Sequence, residues 1–192
     1  MSLTDAASLR LSCGPCVLRP WRRGDEPALV RHADNRAIWL NLRDLFPHPY
    51  RQQDAEGWVA FASEQRPFVN LAIEVDGEAS GGIGLVLGTD VSRYSAEVGY
   101  WLGESQWGRG IVSAALETFC TWAFSEFALL RLFALPFASN AASCRVLEKA
   151  GFQREGLMKQ AVVKDGRVLD QFMYARLRPG GAAELGLQMS RP

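Results

Sequence analysis

The sequence predicts a mixed α/β (α+β) domain, one mostly antiparallel sheet with helices against it. Three observations carry that expectation. Strand-like runs at 71–75, 83–87 and 94–102 follow one another with no helix between them, so they must pair antiparallel. A helical pattern at about 111–124 then precedes a fourth run, 131–135, which can lie parallel to the strand before the helix. At that strand-to-helix junction stands Trp101-Leu102-Gly103-Glu104-Ser105-Gln106-Trp107-Gly108-Arg109-Gly110-Ile111-Val112, a glycine-rich turn that holds an arginine.

Taken in order, residues 1–14 are small and polar and read as a flexible arm. Val17–Pro20 is a short first strand closed by its proline. Asp25 can cap a helix that has Glu26 and Pro27 in its first turn and runs to about Asn35. His32 reads as a surface residue of that helix. The stretch 36–50 mixes prolines, aromatics and charges and fits no long regular element. A second helix, about Gln53 to Glu64, turns Ala55, Trp58, Val59 and Ala62 inward. Leu71–Val75 turns at Asp76-Gly77, a pair that tight hairpins prefer, and Gly81, Gly82 and Gly84 in the returning strand suggest a bulge or a close neighbour. The central helix carries Val112, Ala115, Leu116, Phe119, Trp122 and Ala123 on one stripe, an ordinary core face. Asn140 is a good N-cap and Gly151 a good left-handed stop, after which Phe152 can fold back onto Leu147. A hairpin at 161–174, turning at 164–167, closes the domain of 15–178. Residues 179–192 read as an irregular tail.

Nearly half of the 192 residues (48%) are hydrophobic, with ten Phe and six Trp, enough apolar mass for one real core. Lys+Arg and Asp+Glu are both 21, so overall charge favours neither nucleic acid nor a membrane surface. No apolar run approaches a membrane span and the N-terminus has no signal-peptide core, so a cytoplasmic protein is expected. Cys13-Gly14-Pro15-Cys16 has the spacing of redox and metal pairs, but no second pair or nearby His completes a zinc set. It reads as a coincidence in a loose N-terminus, and no metal is expected. Cys120 and Cys144 read as core residues.

A helix N-terminus presents N–H groups without partners and a partly positive dipole end. Gly108 and Gly110 would let a phosphate approach the backbone, and Arg109 adds a charge, so the turn reads as a pyrophosphate cradle. It is not a Walker loop, since no Gly-Lys-Ser/Thr follows. Nor is it a dinucleotide fingerprint, since the third glycine and the acidic residue after the next strand are missing. What it resembles is the acyl-CoA pyrophosphate loop of the GNAT superfamily of N-acetyltransferases, Gln/Arg-x-x-Gly-x-Gly/Ala. Ser105 stands at the Gln/Arg position, with Gln106 one place later. Asn140-Ala-Ala-Ser143-Cys-Arg-Val-Leu-Glu-Lys149-Ala-Gly151-Phe152 resembles the second cofactor segment of that superfamily's ribosomal-protein N-terminal (alanine/serine) acetyltransferase branch.

The resemblance covers about 17–177. It implies a sheet whose two central strands splay apart to admit the pantetheine arm of acetyl-CoA, a co-substrate. It also implies a role for each of several residues. The amides of Trp107, Gly108, Arg109, Gly110, Ile111 and Val112 would hold the diphosphate, with Lys149 near the nucleotide. Backbone groups of Tyr100, Trp101 and Leu102 would pair with the pantetheine amides, and Asn140 would hold the thioester region. Ser143 would hydrogen-bond the leaving sulfur. Glu97, mid-strand beside the acyl group, is the first candidate for general base, although it could equally pair with Arg19 or Arg93 or face solvent. His48 is the second. Asn41, Arg43, Asp44 and His48 lie in the segment that would line the acceptor side, where Asp44 could bind a cationic amine. Tyr174, on a late strand, could return to the site.

The implied reaction is direct acetyl transfer to an amine, either a protein or peptide α-amine or a small amine such as a polyamine, amino acid or drug. A CoA-binding module without turnover is a third reading. The implied partners are coenzyme A, the amine acceptor and a second copy of the chain, as homodimers are common in that branch.

Overall fold

The computed structural model describes residues 9–188 and contains one eight-stranded sheet. The strands are β1 (Leu11–Ser12), β2 (Val17–Pro20), β3 (Asn70–Val75), β4 (Glu78–Leu87), β5 (Ser95–Leu102), β6 (Arg131–Ala134), β7 (Gln153–Lys164) and β8 (Arg167–Leu177). Their order is β1-β2-β3-β4-β5-β6-β8-β7. The helices are α1 (Glu26–Ala33), α2 (Arg36–Trp39), α3 (Gln52–Glu64), α4 (Ile111–Glu126) and α5 (Ala141–Lys149). Neighbouring strands pair antiparallel except β5 and β6, which α4 connects and which run parallel.

Alternation along the strands sorts the two faces. Leu71, Ile73, Ile83, Leu85, Ala96 and Val98 are buried in one cluster with Ile111, Ala115, Leu116 and Phe119 of α4 and Leu147 of α5. Ala72 and Ala79 face the other way and pack with Leu29 and Ala33 of α1 and Ala55, Val59 and Ala62 of α3. The small residues there let those two helices lie close to the sheet. β3 and β4 contain a bulge: Ile73 pairs with Gly81 and Glu74 with Ala79, leaving Ser80 as the extra residue.

The parallel pair is short. It joins Ser95 to Arg131, Ala96 to Leu132 and Glu97 to Phe133, and no further. β5 continues to Leu102 while β6 ends at Ala134, so the strands part after Glu97. The backbone of a strand alternates edges. The Tyr94 carbonyl accepts from Arg131 on the β6 side, whereas the Gly103 N–H reaches Ser80 on the β4 side. Val98, Tyr100 and Leu102 therefore turn their backbone groups into the gap, and Trp101 turns its own to β4, opposite Gly82.

The local expectations for the second motif hold. Asn140 Oδ1 accepts from the Ser143 N–H at 3.0 Å, Gly151 has φ 80°, and the Phe152 N–H bonds the Leu147 carbonyl at 3.0 Å.

Other expectations need correction. The arm is not structureless throughout: β1 lies inside it, and Cys13 and Cys16 are buried in the β1–β2 turn against the core rather than in a loose end. The rest of the arm (1–8) and the end of the tail (189–192) fall outside the described residues; the tail before that contains a short helical turn, Gly181–Leu185. Asp25 does not cap α1 through its side chain. Its carboxylate instead binds Arg19 of β2 at 2.7 and 2.8 Å, and Arg19 also binds Glu74 of β3, with both arginine and carboxylates almost fully buried. Both carboxylate oxygens are taken by the buried guanidinium, and the one backbone N–H that donates to them, that of Arg22 at 3.0 Å, precedes the helix. His32 is not a surface residue either. Its side chain is 10% exposed, packs against Gly103 and lies 2.8 Å from Glu78. The closing hairpin starts eight residues earlier than its apolar pattern suggests, because most of β7 is exposed on an edge strand and carries no core alternation.

Candidate active site

The glycine turn ends in two left-handed residues, Gly108 (φ 77°) and Gly110 (φ 75°). A Cβ at either would meet nothing within 4 Å, so the space beside these amides is open. Gly110 heads α4, whose first helical bond runs from the Ala114 N–H to the Gly110 carbonyl. The amides of Ile111, Val112 and Ser113 are thus without intrahelical partners at the positive end of a 16-residue helix. Arg109 is half-exposed, bonds Gln106 and stands 3.9 Å from Asp76. The Trp107 indole N–H donates to the Leu102 carbonyl at 2.8 Å, which takes that carbonyl from the gap edge. Val98 and Tyr100 keep theirs.

Glu97 stands at the last joined pair before the gap. Its side chain lies on the face opposite α4, level with Val86 and Phe133 across its neighbours. Its partner is neither Arg19 nor Arg93 but Arg43, from the segment between α2 and α3. Val86, Ser95, Glu97, Arg131, Phe133 and Met173 border a hollow of about 320 Å³ on this face.

Ser143 and Tyr100 meet on the α4 face. The hydroxyl oxygens are 2.8 Å apart, joining β5 to the first turn of α5 across the gap. Asn140 fixes the Ser143 backbone through the cap described above. Lys149 is exposed in the last turn of α5.

The remaining acceptor candidates are only partly brought together. Asp44 is not free for a cationic amine: its carboxylate takes Lys164 Nζ at 2.7 Å. Lys164, at the tip of the β7–β8 hairpin, is buried over the Trp39 ring, 3.7 Å from its centroid. Arg36 binds Asp165 beside it at 2.6 Å, so the hairpin tip is tied to the segment 36–50. His48 stacks on Trp39 and lies 3.6 Å from Asp34, turned to its own segment. Asn41 donates to the Ala37 carbonyl and so closes α2. Tyr174 does not return to the acceptor face. It is 1% exposed in the α4-side core and donates to Glu148 of α5 at 2.8 Å. Trp101 is also corrected: its backbone pairs with β4, and its ring packs on Phe46 on the α1 side. A count along β5 could have found this, because odd and even residues use opposite edges. The Arg43 and Lys164 pairings, by contrast, leave no local signal.

A sheet that parts beside a carboxylate, with an anion-ready turn leading into the next helix, defines a class of α/β folds with a ligand-sized gap between two parallel strands. The chain belongs to the acetyltransferase (GNAT) domain family, whose profile matches residues 16–153. It is similar to the uncharacterised N-acetyltransferase p20 of Bacillus licheniformis, 34% identical over 89 residues, covering 46% of this chain and 50% of that one. It is 37% identical over 84 residues to the ribosomal-protein-serine acetyltransferase of Escherichia coli, covering 43% and 46%. The chain thus spans about half the length of the curated relatives it matches. Among solved structures it is similar to RimL, a ribosomal L7/L12 α-N-protein acetyltransferase in complex with coenzyme A. The TM-score is 0.78 and the identity 26%, covering 88% of this chain and 98% of that one. Among the described residues no helix is long and apolar enough to cross a membrane, and no cluster of His, Cys, Asp or Glu could hold a metal ion.

Proposed function

We propose that this protein is a cytoplasmic acetyl-CoA-dependent N-acetyltransferase and that its acceptor is the α-amine of a protein or peptide. The observation that carries the reading is the gap between β5 and β6, which has Glu97 on one face and the Ser143 hydroxyl on the other. A thioester lying in that gap would meet a base on its acyl side and a hydrogen-bond donor on its sulfur side.

Acetyl-CoA supplies the activated acyl carbon. The open amides at Gly108–Ser113 receive its diphosphate, without the expected Trp107 N–H, which is bonded to the Glu104 carbonyl at 3.0 Å, and Val98 and Tyr100 pair with the pantetheine as a neighbouring strand would. Glu97 takes the proton lost by the attacking amine, directly or through a water. The amine nitrogen bonds the carbonyl carbon, the carbon–sulfur bond breaks, and its electron pair goes to sulfur, where Ser143 donates a hydrogen bond. A thiol of ordinary pKa, about 8.5, needs no stronger acid than that. An α-amine, with a pKa of about 7.7–8.0, is neutral roughly a tenth of the time near pH 7, whereas a lysine is neutral about a thousandfold less often than it is charged. The α-amine suits this modest apparatus, and the two relatives named for ribosomal-protein and α-N-protein acetylation support the same class of acceptor. A homodimer belongs to the same expectation and is checked by light scattering.

The test is thiol release from acetyl-CoA against a panel of N-terminal peptides, internal lysine peptides and small amines. N-terminal peptides are expected to react fastest. Turnover confined to polyamines, amino acids or drugs would instead assign a small-molecule acceptor, and heat of CoA binding without turnover would assign a binding module.

The diphosphate site carries its own prediction. An L-residue in the left-handed region costs about 1–2 kcal/mol. Relief of that strain at Gly110 would turn the first amides of α4 out of line. Gly110→Ala is expected to raise KM for acetyl-CoA about tenfold with a smaller change in kcat. Steady-state kinetics with acetyl-CoA varied decides it.

A further inference from the structure

We infer that Tyr100 is a positioning residue that directs the Ser143 hydroxyl proton toward the sulfur of the leaving group. The inference rests on the reading of the gap given above. Its basis is the 2.8 Å contact between the Tyr100 and Ser143 hydroxyl oxygens. Each hydroxyl has one proton to donate and lone pairs to accept with. A phenol is a stronger acid than an alkyl alcohol and so the better donor of the two. The other acceptor near the phenol is the Ser143 carbonyl at 3.3 Å, which is more distant and already serves the helical ladder of α5. Tyr100 therefore donates to Ser143 Oγ.

That choice has a chemical consequence. With its oxygen accepting from Tyr100, Ser143 is left with its own proton to give elsewhere, and a hydroxyl that accepts a hydrogen bond becomes a better donor. The Ser143 backbone is already held by the Asn140 side chain at 3.0 Å, so the hydroxyl rotor is what Tyr100 sets. Tyr100 is placed for this by β5. As an even-numbered residue it sends its side chain to the α4 face and its backbone into the gap, opposite Ile83. Burial holds the phenol above its ordinary pKa, so it stays protonated near neutral pH. Both hydroxyls keep their protons through the reaction. The electron pair of the broken carbon–sulfur bond goes to sulfur, the thiolate accepts the Ser143 hydrogen bond, and the amine's proton leaves through Glu97 or water.

The test uses the full chain with acetyl-CoA and the acceptor found in the panel. Tyr100→Phe removes one oxygen and is expected to lower kcat about tenfold while leaving KM for acetyl-CoA within about twofold. Ser143→Ala is expected to lower kcat by about thirtyfold. The double variant is expected to fall no further than Ser143→Ala, because Tyr100 acts through that hydroxyl. A Tyr100→Phe enzyme with kcat within twofold of the parent, or losses that multiply in the double variant, overturns the inference.

Should Tyr100→Phe not fold, difluorotyrosine at position 100 keeps the oxygen and ionises at lower pH. The titratable groups beside the phenol are the thiols of Cys144 on α5 and Cys120 on α4, and both are unchanged in this comparison. With the fluorinated residue kcat is expected to begin falling at the pH where the absorbance of the fluorophenol shows it ionising, a pH at which the parent phenol is still protonated, and profiles of the two proteins that coincide through that ionisation overturn the inference. Failure of the underlying reading looks different: the parent chain itself would release no thiol with any acceptor, and the inference would fall with it.

Discussion

Glu97→Gln is expected to lower kcat about a hundredfold and to change the shape of the pH–rate profile. The substitution keeps the size of the side chain and its place at the last joined pair of β5 and β6, so the gap should open as before. What it removes is the group that can accept a proton on the acyl side. It also removes the charge that Arg43 faces, and Arg43 is more than half exposed, so release of that ion pair has little effect on stability. KM for acetyl-CoA is expected to stay within about threefold, since the diphosphate amides lie at the far end of β5 and beyond. The measurement is kcat against pH for both proteins with a peptide acceptor. An unchanged profile would take Glu97 out of the proton path and leave the transferase assignment standing, with a water or another side chain as base.

Arg19→Met is expected to destabilise the fold by about 3–5 kcal/mol, the usual consequence of removing one partner from a buried ion pair. Arg19 is 3% exposed in its side chain and is clasped by both oxygens of Asp25 and by Glu74. Methionine fills much of the volume but leaves Asp25 without its buried cation and takes one of three arginines from Glu74, which keeps Arg10 and Arg22. For a chain of this length the loss corresponds to a fall in Tm of roughly 8–15 °C. The pH dependence separates the electrostatic part from simple packing. Burial alone would raise the Glu74 pKa, but hydrogen bonds from Arg19 and Arg10 outweigh it and hold the pKa below the ordinary carboxylate value. A carboxylate lowered in the folded state stabilises the protein above its unfolded pKa, about 4.3, and loses that contribution as the pH falls through the folded value. The difference between parent and variant is therefore expected to be full at neutral pH and to shrink below about pH 4. A difference that stays constant down to pH 3 in denaturant titrations would assign the loss to packing instead.

What could be read from the chain follows the range of the interactions involved. The antiparallel run β3–β4–β5 was legible because Leu71–Val75, Ile83–Leu87 and Tyr94–Leu102 have no helix between them. The Asn140–Gly151 helix was legible because its cap and its stop are both chosen by residues within a turn of the ends. β1 was not legible, since two residues give no pattern, and neither was the length of β7, whose exposed edge position frees it from alternation. Within the candidate site, the glycine turn announced itself through backbone geometry that few other residues adopt. The acceptor side did not. His48 and Asp44 stood out by residue type, but type says nothing of which way a side chain turns, and Trp39, Asp34 and Lys164 had claimed them.

By itself, then, the amino-acid sequence determined the antiparallel run β3–β4–β5, the ends of the Asn140–Gly151 helix and the glycine turn at Gly108–Gly110, because each is set by residues a few positions apart. Only the tertiary structure decided that Arg43 meets Glu97 across 54 positions, that Lys164 takes Asp44 across 120, and that Tyr100 reaches Ser143 across 43. The encounters of Glu97 and Tyr100 depend on which face of β5 each occupies, and that of Lys164 on where the tip of the β7–β8 hairpin comes to rest. That is a property of the assembled sheet, and no short window of the chain contains it.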